Sequence, residues 1–230
     1  MTEKKHHVIA IDGPSASGKS TVSKKLAQVM GYLYVDSGAL YRGMTWKMLQ
    51  ENVDIHDTEV VIAKMDEIQW DFFIKDGSIW FSIDGTDPGQ EIRGEAVREN
   101  VAIIATIPEV RAFIGEQLRN MRHFGNIVME GRDIGSVVFR DSPYKFYIDA
   151  DPQERARRRC KDIVQLEGQS NVEEVFNSLK RRDEIDSSRK TAPLQIVDGA
   201  RVLDTTGMTI DEVVERIASA LTQDGLSCEA

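Results

Sequence analysis

Cysteine is nearly missing from this 230-residue chain: only Cys160 and Cys228 occur, far apart. They exclude a disulfide framework and any paired-cysteine metal site, and the reading expects a reduced, intracellular protein. Long apolar runs are also missing. The longest, Val101 to Ile107, is interrupted by Thr106 and is far too short to span a bilayer. The charged stretch Met1 to His7 is followed by apolar residues that stop at Asp12, which argues against a signal peptide. Positive charge is in deficit, with 29 Lys and Arg against 38 Asp and Glu, a net charge of −9. An acidic chain repels nucleic-acid backbones and anionic membranes, so neither is expected as a partner. Repeats and low-complexity segments are absent as well. What remains, with 41% hydrophobic residues, is enough apolar material for one soluble globular domain with insertions.

The scarce positive charge is unevenly placed. Ten of the basic residues fall between Asp151 and Lys190, interleaved with nine acids. Charge alone favours a solvated helix laced with i,i+4 pairs; a small polyanion held locally is the sharper alternative.

Hydrophobic periodicity gives the order of elements. His7 to Asp12 reads as a buried strand, followed by the Gly-rich turn Gly13 to Gly18. A helix follows with Val22, Leu26, Val29 and Met30 on its apolar face, ending at Gly31. Tyr32 to Val35 is a second strand, and Leu40, Tyr41, Met44, Met48 and Leu49 form a second helical stripe. This is the opening of a parallel α/β fold. Trp70 to Lys75 and Ser78 to Asp84 alternate around Asp76-Gly77, a hairpin signal, and read as an insertion. The run Val101 to Ile107 reads as a buried helix. Helical spacing continues at Val110, Phe113, Ile114, Leu118 and Met121 behind Pro108. Asn126 to Glu130 and Tyr144 to Ile148 are further strands. Helices over 152–167 and 172–186 are hinged at Glu167 to Asn171, and a last strand, Arg201 to Leu203, precedes a helix opened by the Thr209/Glu212 capping box. Five core strands result.

The chemistry begins at Gly13-Pro14-Ser15-Ala16-Ser17-Gly18-Lys19-Ser20, which fits GxxxxGK[ST] between a strand and a helix. Glycines let successive backbone N–H groups face one centre, and the helix N-terminus adds partial positive charge. Lys19 is expected on the β/γ-phosphates and the Ser20 hydroxyl on Mg²⁺. No NKxD guanine motif and no LSGGQ-type signature occurs, which argues against a GTPase and a transporter ATPase. A kinase needs a second anion site, and Arg42, Arg93, Arg111, Arg132, Arg182 and Arg189 all lie beside turn residues. Guanidinium forks suit phosphate, although any one of these taken alone reads as a surface ion pair.

In combination these blocks resemble the bacterial cytidylate kinases along nearly the whole chain. The matching stretches are IDGPSASGKST (11–21), DSGALYR (36–42), EIR (91–93), PEVR (108–111), EGRDIGSVVF (130–139), DADPQERARRR (149–159), RRDEIDSSRKTAPL (181–194) and LDTTG (203–207). The resemblance implies a P-loop kinase fold: a five-stranded parallel sheet with helices on both faces, an antiparallel monophosphate-binding insert and a helical lid. It divides the chain into core (1–36), monophosphate-binding region (37–106, insert at about 63–104), core (107–154), lid (155–187) and core (188–230). It implies ATP-dependent phosphorylation of CMP and dCMP with Mg²⁺, by a cytoplasmic monomer. ATP would lie on Gly13 through Thr21. Ser37, Arg42 and Arg132 resemble CMP-binding residues, Asp133 and Arg111 the pair reading the cytosine edge, and Arg182 and Asp186 positions around the ribose. Arg189 matches a position near the reacting phosphates. Arg158 stands for the lid arginines that approach ATP, one of four candidates in 155–159. Lys19, Arg132, Arg158 and Arg189 are the catalytic set so implied.

Two departures stand out. Glu130 replaces the aspartate usual before GRD, lengthening its reach by one methylene. Ala102 stands where some members carry a serine that touches the base, so that binding site lacks a hydroxyl unless Thr106, a turn later, supplies one. The nearest alternative is another small P-loop kinase with a different monophosphate acceptor. A nucleotide switch without turnover would lack the P-loop lysine or the acceptor arginines, and all are present.

Overall fold

The structure, a computed structural model, describes residues 6–167 and 169–226. Met1 to Lys5, Gly168 of the expected hinge, and Cys228 lie outside the described residues. Seven strands form one sheet: β1 (Val8–Asp12), β2 (Leu33–Asp36), β3 (Trp70–Lys75), β4 (Ser78–Ile83), β5 (Ile127–Gly131), β6 (Tyr144–Asp149) and β7 (Arg201–Asp204). Their order is β3-β4-β2-β5-β1-β6-β7. β2, β5, β1, β6 and β7 are parallel neighbours, the five expected core strands. The hairpin β3–β4 extends the same sheet, since β4 runs parallel to β2 through the pair Tyr34 and Ser78. Its turn residues Asp76 and Gly77 have φ of 50° and 68°, the two left-handed positions that a tight hairpin demands.

Successive residues of β1 face opposite sides, and this alternation makes two cores. Ile9 and Ile11 pack with α1 (Lys19–Met30) and α8 (Ile210–Gln223), against Val22, Leu26, Val213 and Ile217. Val8 and Ala10 face the other core, built with α2 (Ser37–Gln50), α3 (Thr58–Met65), α4 (Glu95–Ile104) and α5 (Pro108–Asn120). The helices α6 (Pro152–Glu167) and α7 (Val172–Ser188) pair with each other beyond the sheet's carboxyl edge.

Several local expectations change. Val29 points outward, 45% exposed, and Ala27 takes its place in the core. α3 answers to no expected element; Asp57 caps it by accepting from the N–H groups of Glu59 and Val60. The run Val101 to Ile107 is not one helix. α4 stops at Ile104, and Ile107 caps α5 with Pro108 in its first turn. The capping box of Thr209 and Glu212 forms as the sequence requires. No helix of the described residues is long and apolar enough to cross a membrane.

Candidate active site

Asp12, Asp36, Glu130 and Asp149 all stand at carboxyl ends of parallel strands, and the register aligns Asp12 with Gly131 and Asp36 with Glu130. In open α/β sheets the crevice outside these ends is where ligands bind. The chain leaves β1 through the glycine-rich loop. A Cβ on Gly13 would sit 2.1 Å from the Ile148 carbonyl oxygen of β6, so only glycine fits there. Gly18 caps α1 in the left-handed region with φ 88° and no side-chain cap, which leaves the first N–H groups of the helix open toward the crevice.

Lys19 is buried and donates from Nζ to the Pro14 carbonyl at 2.8 Å, with Glu130 Oε2 at 4.0 Å. Burial first, then neighbouring Arg132, lowers its pKa to about 7. Ser20 Oγ donates to Glu130 Oε1 at 2.5 Å, and Tyr34 donates to the same oxygen at 3.2 Å. Ser15 and Ser17 are buried in the loop, and Ser17 Oγ has no hydrogen-bond partner among the described residues. Ala16 adopts φ 59°, and Thr21 is exposed on the outer face of α1.

A second cluster faces the loop. Arg132 donates from Nη2 to Ser15 Oγ at 2.7 Å and from Nε to Asp186 Oδ2 at 2.9 Å. Burial raises Asp186, but Arg132, Arg189 and Arg182 more than offset it, and its pKa lies below the ordinary range. Arg189 Nη2 sits 3.2 Å from Asp186 Oδ1, in ion-pair range but without hydrogen-bond geometry. Arg182 has no hydrogen bond or ion pair among the described residues; burial and then Arg132 lower its pKa to about 10. Arg42 donates to Asp36 Oδ2 at 2.7 Å, Arg93 lies 3.6 Å from the same oxygen, and Arg42 Nε is buried with no hydrogen-bond partner among the described residues. Buried donors without acceptors and guanidinium groups in excess of carboxylates call for an anionic ligand.

Arg111 and Asp133, the pair expected to read the base, are also together. Arg111 donates from Nη2 to Asp133 Oδ2 at 2.5 Å and from Nη1 to the Ala105 carbonyl at 3.1 Å, both side chains buried. Its guanidinium lies over the Tyr41 ring, 5.5 Å from the centroid. Burial, then the Asp133 charge, pushes the Tyr41 hydroxyl up to about 12. Ser37 is buried at the start of α2 and packs against Gly131, where a Cβ would come within 2.5 Å of its Oγ. Ala102 is half-buried on α4. Thr106 is exposed in the turn after α4, and its hydroxyl donates to the Ile103 carbonyl at 2.7 Å.

Geometry separates the four arginines of 155–159. Arg158 spans Glu154 at 3.1 Å and the Thr205 carbonyl at 2.9 Å, beside the Ser17 carbonyl at 3.4 Å, so it borders the glycine-rich loop. Arg155 donates to the Ser15 carbonyl at 3.0 Å. Arg157 is turned outward onto Glu154 at 3.7 Å. Arg159 lies near Arg98, Arg93 and Arg42: burial first, then these positive charges, lowers its pKa. Arg155 and Arg159 are two of the four candidates that the sequence offers beside Arg158, whereas Tyr34, Tyr41 and Asp183 carry no signal as site residues in the sequence. Asp12 was missed too. It is buried and accepts N–H groups of Ile134 and Gly135 at 2.8 Å each, clamping a wide helical turn (Ile134–Val138) behind Asp133; burial raises its pKa to about 6.

Comparison with known proteins shows the family. The family profile described as Cytidylate kinase matches residues 9–223. This chain belongs to the cytidylate kinase family. A cytidylate kinase of Caldanaerobacter subterraneus subsp. tengcongensis is 44% identical over 93% of each chain. One from Clostridioides difficile is 41% identical over 93% of this chain and 97% of that one. Among solved structures, a gluconokinase from Sinorhizobium meliloti 1021 aligns with a TM-score of 0.46 and 14% identity, over 95% of this chain and 93% of that one. The matched span includes every residue of the crevice, and the family is one of phosphotransferases.

Proposed function

We propose that this member of the family transfers the γ-phosphoryl group of ATP to CMP and dCMP, in line and without a covalent intermediate on the protein. The observation that carries the reading is the loop Gly131-Arg132-Asp133. Arg132 reaches the glycine-rich loop, while the next residue reaches Arg111, so one short segment joins the donor and acceptor ends of the crevice.

The acceptor needs no protein base. A phosphate monoester with second pKa near about 6 is largely dianionic at pH 7. The obstacles are repulsion between two polyanions and attack by water on the γ-phosphoryl. In this reading the loop N–H groups and Lys19 hold the donor, and Arg42, Arg132, Arg182 and Arg189 neutralise the acceptor and the transferring group. The helices over 155–187 cover the reaction as a lid, with Arg158 on the donor side, and the region 37–106 closes over the acceptor. Ser37 and Asp186 orient the nucleoside. Asp133 accepts from the cytosine N4 amine; uracil presents O4, a second acceptor, and would leave a buried group unpaired.

Mg²⁺ fits the residues present. Ser20 Oγ and Glu130 Oε1 are hard oxygen donors 2.5 Å apart, and no group of three or more His, Cys, Asp or Glu among the described residues could hold an ion without a nucleotide. An ion held there with the nucleotide would neutralise charge on its β- and γ-phosphates. The same reading takes the protein to act as a cytoplasmic monomer. The deciding experiment measures ADP formation with CMP, UMP, AMP and GMP in turn. Use of another monophosphate tenfold better than CMP in kcat/KM would overturn the assignment.

A further inference from the structure

Ser15 lies inside the glycine-rich loop, yet each of its three polar groups already has a protein partner. Its N–H donates to Asp183 Oδ1 at 3.2 Å, its carbonyl accepts from Arg155 Nη1 at 3.0 Å, and its hydroxyl accepts from Arg132 at 2.7 Å. Arg155 also donates to Asp183 Oδ2 at 2.5 Å and, from Nε, to the Ala150 carbonyl at 3.1 Å. Asp183 therefore binds one loop N–H and one lid guanidinium with its two oxygens. These are the two kinds of donor that a phosphate on this loop would use. A carboxylate seated on the donors of an anion site competes with the anion.

We propose that Asp183 is an anionic gate on the glycine-rich loop, exchanging with a phosphate of the donor nucleotide for the Ser15 N–H and for Arg155. The inference rests on the loop being the ATP site. Until the nucleotide enters, Asp183 keeps Arg155 neutralised and draws α6 and α7 onto the loop. When the triphosphate enters, it takes over these donors, Asp183 is released, and Arg155 becomes a cation for the donor phosphates. Asp183 is thus a positioning residue that sets how tightly the donor is held and how readily the lid parts from the loop.

A simple staple makes a different demand from a gate. If the pair only fastens α6 and α7 to the loop, neutralising either partner loosens the site and weakens nucleotide binding. A gate predicts opposite signs. Asp183→Asn keeps the shape and an acceptor for the Ser15 N–H but removes the competing charge, so a non-hydrolysable ATP analogue with Mg²⁺ should bind several-fold tighter. Arg155→Gln should bind it about tenfold more weakly, on the scale of one charge-assisted hydrogen bond to phosphate. The double variant should behave nearly as Arg155→Gln, because Asp183 acts largely through Arg155.

The test is isothermal titration of the full chain and the three variants with that analogue, beside steady-state kinetics in ATP and CMP. KM for ATP should fall in Asp183→Asn without a rise in kcat. Unchanged or weaker analogue binding in Asp183→Asn overturns the gate. Should that variant fail to fold, Asp183→Ser removes the same charge and must show the same tightening. Wild-type chain that binds the analogue but does not phosphorylate CMP would instead sink the acceptor assignment and leave the gate to be judged on binding alone.

Discussion

Arg111 and Asp133 form a buried ion pair in which Asp133 Oδ2 is taken by the guanidinium, while Oδ1 has no partner among the described residues. One oxygen is fixed and the other is available, which is the arrangement needed to read an amine. Asp133→Ala should lower kcat/KM for CMP by roughly a hundredfold and for UMP much less, the scale expected when a buried hydrogen-bonding partner is lost. The substitution also strands Arg111, a cost felt with both substrates. The informative quantity is therefore the CMP/UMP ratio. Equal losses for the two would make Asp133 a structural partner of Arg111 and nothing more.

Lys19 gives a pH prediction with a definite sign. Its pKa in the folded chain is about 7, against 10.5 for the ordinary group. Between those values the unfolded chain holds more protons, so this group makes stability rise as pH climbs from about 7 toward 10.5. Below about pH 7 both forms are protonated and the burial cost is fully felt. Lys19→Met should reduce kcat by at least about a hundredfold, since the lost charge acts chiefly on the transition state. The same change should raise the thermal midpoint of the ligand-free chain at pH 6 and lose that advantage by pH 10. Glu130 keeps Ser20 and Tyr34 as partners, so it is not left bare. Midpoints that stay parallel with pH in the two proteins would contradict the buried, charge-strained lysine.

Much of this was legible in the sequence where local chemistry dictates geometry. The glycine-rich loop, the Asp76-Gly77 turn, Pro108 at the start of α5 and the Thr209/Glu212 box each specify their own backbone. Val29 was misread because periodicity locates an apolar face but not its width; Ala27 fills the space under α8. α3 escaped because two turns carry too little periodic signal, and its buried residues Val61 and Met65 rely on α2 and α5. The run 101–107 looked continuous because apolar residues on either side of a helix end share one core. The site was legible in its blocks and not in its pairings. Nothing local distinguishes the arginines of 155–159: their directions come from helix phase and from the distant partners Ser15, Thr205 and Asp183.

The α2 helix, which carries Ser37 and Arg42, meets the β3–β4 hairpin at Gly43. A Cβ there would lie 2.7 Å from Phe81 Cε2 and 3.2 Å from Ile83 Cδ1, and Phe81 is fully buried. Gly43→Ala must push a helix and an aromatic ring apart, an overpacking cost of about 1–3 kcal/mol. Part of that is offset by alanine's better helix propensity. Urea unfolding should show the loss, and KM for CMP should rise because Arg42 is the adjacent residue. A variant as stable as the parent would mean that Phe81 yields easily.

The last prediction concerns Ala102. It lies on α4 three residues before Ala105, so the two share a helix face, and the Ala105 carbonyl accepts from Arg111, the partner of Asp133 in the proposed base-reading pair, at 3.1 Å. A serine at 102 would therefore place its hydroxyl on the side of α4 that approaches Arg111 and Asp133. One added hydrogen bond to the base is worth about 0.5–1.5 kcal/mol, roughly a two- to tenfold fall in KM for CMP. The gain would reach ground state and transition state alike, so kcat should stay nearly constant. A competing partner is the carbonyl of Arg98, one turn back, which a helical serine readily takes and which would cancel the benefit. Thr106 offers no substitute in this geometry, because it is exposed and its hydroxyl is engaged by Ile103. Steady-state kinetics of Ala102→Ser beside Thr106→Val decide the matter. A lower KM for CMP in the first and no change in the second is the expected pair. Loss of CMP binding in Thr106→Val, with no gain in Ala102→Ser, would place the hydroxyl at the turn and reverse the assignment.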